Sequence, residues 1–163
     1  MEPGHREHVE AALADAAADH ARLMAHLPAD LQASIPVDGQ GVTRAIDHLA
    51  AAAGLSDRER RALVRPHAIN PAVMHARVFG GAPLARETVI ASFVEGARVR
   101  ADALAALADA IGGEPLGQEA RQLLVADPPP LEADGPDVVP ALRATYAAHE
   151  RVAVRIAAGL DDA

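Results

Sequence analysis

The chain contains no cysteine, no lysine and no tryptophan. Without cysteine there can be no disulfide, no thiolate nucleophile and no thiolate zinc site. Aromatic side chains are limited to Phe79, Phe93 and Tyr146. That scarcity removes the enriched strand formers and the stacking platforms of single-strand nucleic-acid binders, so an all-β fold is disfavoured. All 15 basic residues are arginine, set against 23 acids, for a formal charge of -8. General nucleic-acid binding is disfavoured, because it relies on a net basic face that releases counterions. No run of about 18 uncharged apolar residues occurs. The opening Met1-Glu2-Pro3-Gly4-His5-Arg6-Glu7 lacks the apolar stretch of a secretion signal. The expectation is a cytoplasmic protein with no membrane partner.

What is present points to helix. A length of 163 residues fits one domain, taken here as the whole of 1–163. Half the residues are hydrophobic but 40 of them are alanine, so the core must be thin and helical. From His5 to Leu27 the residues Val9, Leu13, Ala16, Ala17, Leu23, Met24 and Leu27 follow three-and-four spacing, which predicts a first long helix ended by Pro28. The stretch to Gly41 carries turn chemistry, with one short turn around Leu31. Val42, Ile46, Leu49 and Ala53 mark a short helix closed by Gly54. Ser56 and Glu59 form a capping box for the next helix, which stops at Arg65 before Pro66. Asn70-Pro71 opens another short helix, to Phe79.

Ile90, Phe93, Val94, Ala97, Ala101, Leu104, Ala108 and Ile111 keep one face apolar from about Leu84 to Ile111, a second long helix that Gly112-Gly113 ends. Pro115 opens a shorter helix through Leu116, Ala120, Leu123 and Leu124. Residues 127–137, with Pro128-Pro129-Pro130, read as a stiff extended connector. A last long helix, from about Val138 to Leu160, places Leu142, Tyr146, His149, Val152, Ala153, Ile156 and Leu160 on one face. Each long stripe must bury against another element. The predicted fold is therefore all-α, a helical bundle of three long helices plus several short ones.

Eight histidines are the most unusual polar feature. His20 on the first long helix and His149 on the last occupy core positions. If those helices are neighbours, both imidazoles point into one interior and could hold a metal or a small acidic ligand, with Met24, His48 or His75 as a further donor. The alternative is two separate core histidines, each satisfied locally. His5 and His8 share a face near Glu2, but a solvated chain end is the commoner setting for such a group. Arg58, Arg61 and Arg65 lie on one helical face, a basic stripe suited to a phosphate or an acidic partner surface. Its alternative is a solvated face paired internally with Asp57 and Glu59. Nucleophile elbows, phosphate loops and a His-Glu-x-x-His pattern are missing, so no catalytic residue is assigned.

Two segments resemble known families. Phe93-Val94-Glu95-Gly96-Ala97-Arg98, running through Leu104 and Leu107 to Ile111-Gly112-Gly113-Glu114-Pro115, resembles the end of the second helix of ferritin-like bundles. That family carries a Glu-x-x-His ligand pair there, and Arg98 stands at the histidine position. The resemblance implies at most a degenerate, metal-free relative. Leu55 to Leu63 resembles the opening of the helix-turn-helix domain of LuxR-type regulators, although Pro66 and Pro71 interrupt what would follow.

Two functions are expected on these grounds. The first is a non-catalytic interaction or regulatory protein working through a helix face, with Arg58, Arg61 and Arg65 as the contact residues and a protein partner or a second copy as the ligand. The alternative is a metal- or small-ligand-binding bundle that uses the interior histidines His20 and His149. Alanine-rich stripes bury little area per residue, so self-association as a homodimer would add stability.

Overall fold

The structure, a computed structural model, describes residues 3–24, 40–64, 86–126 and 138–163. Five α-helices and no strand occur among the described residues: α1 His5–Met24, α2 Gln40–Ala52, α3 Asp57–Val64, α4 Arg86–Ala126 and α5 Val138–Asp161. The fold is all-α. No helix among the described residues is long and apolar enough to cross a membrane. The expected turn at Leu31, the helix from Pro71 to Phe79, Arg65 and the proline-rich connector 127–137 lie outside the described residues.

Local chemistry sets the helix ends. At the close of α2 the Gly54 N–H donates to the Ala51 carbonyl (3.0 Å) and the Leu55 N–H to the Ala50 carbonyl (3.1 Å), while Gly54 has φ 81°. This is the paired-bond C-terminal motif that glycine serves best, with half-buried Leu55 folding back on the core. Two residues later Ser56 and Glu59 form the reciprocal capping box. The Ser56 N–H and hydroxyl donate to Glu59 Oε2 at 2.8 and 2.6 Å, and the Glu59 N–H donates to Ser56 Oγ at 3.4 Å. These hydrogen bonds hold the Glu59 carboxyl below its usual range. In α4 the helical path breaks at Gly113 (φ 69°, ψ -168°), and Pro115 sits just beyond, in the first turn of the second segment. Asp109 before the break and Arg121 after it form a bidentate ion pair across it.

Helix α5 is the hub, lying against α4, α1 and α2, while α2 also contacts α1, α3 and α4. The core joins Val9 of α1, Val42, Ile46 and Leu49 of α2, Leu104 and Leu107 of α4, and Val152 and Ile156 of α5, all 2% exposed or less. Short α2 therefore does much of what the stripes led one to expect of the long helices alone. Gly41 explains how closely it approaches α1: a side chain there would begin 3.2 Å from the Leu13 Cα and the Ala16 Cβ.

Candidate functional site

The site begins at the N-terminus of α1. The Asp161 carboxylate, from the end of α5, accepts the His5 N–H at 2.7 Å and the Arg6 N–H at 2.9 Å. A carboxylate there satisfies two otherwise orphaned donors and complements the positive end of the helix dipole. The same N–H groups hold the Asp161 carboxyl below its ordinary range. The start of α1 is thus tied to a residue 156 positions away.

His5 and His8, one turn apart on this anchored segment, meet His48 of α2. His5 Nδ1 lies 2.9 Å from His48 Nε2. The His8 ring stacks on the His48 ring at 4.1 Å and 13°, and the His5 ring is tilted against His48 at 5.1 Å. The His48 imidazole is held below its usual pKa chiefly by burial, then by His8 and His5, with Asp47 and Asp161 pulling the other way.

A groove of about 550 Å³ opens beside the cluster. Its lining includes His8 and Asp15 of α1, Arg44, Asp47 and His48 of α2, and Arg60 of α3, together with Ala11, Ala12 and Ala51. Arg60 spans two helices: its Nε and Nη2 donate to the two Asp47 oxygens at 3.1 and 3.0 Å, and Nη1 reaches Asp57 at 3.3 Å. The bidentate pair with Asp47 favours the charged guanidinium. The groove thus offers imidazole donors and acceptors and charges of both signs, a chemistry suited to a polar or acidic group. Among the described residues no group of three His, Asp or Glu is arranged to hold a metal ion.

The expected site residues are distributed as follows. His149 is in the interior, 1% exposed, its ring edge-on to Tyr146 at 5.9 Å and 81°. Tyr146 is also met by Arg100, 4% exposed, which donates to the Tyr146 hydroxyl and sets its guanidinium carbon 4.7 Å from the centre of the tyrosine ring. The side chains of His20 and Met24, and all of His75, are outside the described residues, so the meeting of His20 with His149 falls there too. His48, expected as a further interior donor, instead faces His5 and His8. Arg58 and Arg61 are exposed on α3, and Arg65 is outside the described residues.

Sequence reasoning missed two things. Arg100 lies between Ala97 and Leu104 on the apolar stripe of α4, a spacing that signals an inward cation. The histidine trio required knowing that α1 and α2 are adjacent and that Asp161 secures the chain end. Comparison with protein-family models, with curated proteins and with solved structures gave no match.

Proposed function

We propose that the chain is a non-catalytic binding protein that receives an acidic group of a protein partner on the face built from α1, α2 and α3. The observation that carries this is the division of charge on α3. Asp57 is engaged by Arg60, and Glu59 is engaged by Ser56, so the two acids that could have neutralised the stripe are committed elsewhere. Arg58 and Arg61 stand exposed beside Arg60, which lines the groove; Arg65 extends the same stripe in the sequence. Cationic guanidinia next to a polar cleft suit a carboxylate-bearing surface. Titration calorimetry with a hexaglutamate peptide tests it. Replacing Arg58 and Arg61 together by Glu should weaken binding by about five- to tenfold; equal affinity for both proteins would overturn the assignment.

The three long helices acting as one bundle, a cytoplasmic location and self-association as a homodimer belong to the same proposal. The thin alanine core supports the last, and a strict monomer in sedimentation at micromolar concentration would remove it. A second function, an interior metal or small-ligand site using His20 and His149, is favoured by one observation: His149 is buried, its ring against Tyr146. Elemental analysis of untagged protein, with melting curves before and after chelation, tests it; no metal and no shift would overturn it.

A further inference from the structure

We infer that His5, His8 and His48 form a proton-released latch, which holds the start of α1 on α2 while the facing imidazoles are not both protonated and opens that junction, with the adjoining groove, on acidification. This goes beyond the proposed binding function and does not depend on any partner. It rests first on the 2.9 Å contact between His5 Nδ1 and His48 Nε2. Such a contact needs one nitrogen to donate and the other to present a lone pair. In two imidazolium rings every nitrogen carries a hydrogen, so both would be donors and the contact cannot survive. The second support is the His8 ring, stacked on His48 at 4.1 Å, where a second positive charge would repel the first. The third is location, since protonated rings in the first turn of α1 also face the positive end of the helix dipole.

The surrounding charges are largely committed. On α1, Arg6 pairs with Glu10 at 3.0 Å, and Asp15 lines the groove. On α2, Arg44 lines the groove and Asp47 is held by Arg60 of α3. On α5, both Asp161 oxygens accept the His5 and Arg6 N–H groups. The carboxylates therefore temper the added charge while their best hydrogen-bonding positions are taken.

The depressed pKa of His48 agrees with this, and fixes the direction. The unfolded chain takes up its proton near the ordinary histidine value of about 6.5. Stability contributed by neutral His48 is therefore complete above that pH and is lost as the pH falls through the lower folded-state value.

Amide hydrogen exchange of the full chain, corrected for intrinsic exchange, tests the latch. Protection across residues 5–12 should drop by about tenfold or more from about pH 7.5 to pH 5 in the wild type and by less than about threefold in His48→Gln, whose side chain bonds without titrating. No loss in the wild type, or an equal loss in the variant, would overturn the latch. Should His48→Gln not fold, the NMR titration of the wild-type His48 ring decides: a midpoint clearly below that of an exposed histidine supports the latch, and a midpoint at or above it refutes it.

Discussion

Replacing Tyr146 by Phe removes one hydroxyl from the interior. Tyr146 is fully buried and Arg100 is 4% exposed. The tyrosine hydroxyl accepts from the Arg100 guanidinium and lies 3.4 Å from the Phe93 carbonyl. Phe keeps the ring, and with it the cation–π contact with Arg100 and the edge-on packing against His149 and Phe93. What is lost is the donation to the Phe93 carbonyl and, as the larger part, the hydrogen bond from the charged Arg100, about 1.5–3 kcal/mol. For a domain of this size that corresponds to a fall in melting temperature of roughly 3–12 °C. Tyr146→Ala removes the ring as well and should cost about 3–5 kcal/mol. Urea denaturation of the wild type, Tyr146→Phe, Arg100→Met and the double variant gives the coupling directly. The hydroxyl and the guanidinium should couple by about 1–3 kcal/mol. A Tyr146→Phe loss under about 0.5 kcal/mol, or a coupling near zero, would refute the account of this pair.

Other outcomes follow from the helix ends and the core. Ser56→Ala should cost about 1 kcal/mol in urea unfolding, and far less in a Glu59→Ala background, because the two side chains cap α3 as a unit. Gly54→Ala should also cost about 1 kcal/mol; among the described residues nothing lies within 4 Å of the added methyl, so the cost is that of the positive φ, and a neutral result would contradict that. Leu104→Ala, at a fully buried position, should cost about 2–5 kcal/mol by leaving a cavity. The lowered pKa of Asp161 means its support for α1 is present above the unfolded carboxyl pKa of about 3.9 and is lost as the pH falls through the folded value. Asp161→Asn should therefore flatten the acid limb of the melting temperature against pH, and an unchanged limb would argue against the cap.

Periodicity exposed the long helices because their stripes are continuous. Val9 and Ala16 of α1, Leu104 and Ala108 of α4, and Leu142, Tyr146, His149, Val152 and Ile156 of α5 are all buried. Punctuation residues were equally legible: Gly54, the Ser56–Glu59 box and the Gly113 break act through neighbours a few positions away. The candidate site was not legible, because its geometry depends on long-range adjacency. His5 and His8 looked like a loose chain end until Asp161 supplied the cap and α2 supplied His48. In the same way, the placing of Arg60 at the groove depended on its turning toward Asp47 of α2, which spacing alone does not specify. Arg100 is the exception, since its place on the α4 stripe could have identified it as buried.

The binding face is tested most directly by NMR mapping of amide shifts as hexaglutamate is added to the full chain. Shifts should concentrate at Arg58, Arg61, Arg44, His8 and His48 and collapse when Arg58 and Arg61 are both changed to Glu. No shifts at millimolar peptide, or shifts centred on the second groove, lined by Ile111, Leu116, Arg155 and Leu160, would contradict the assignment.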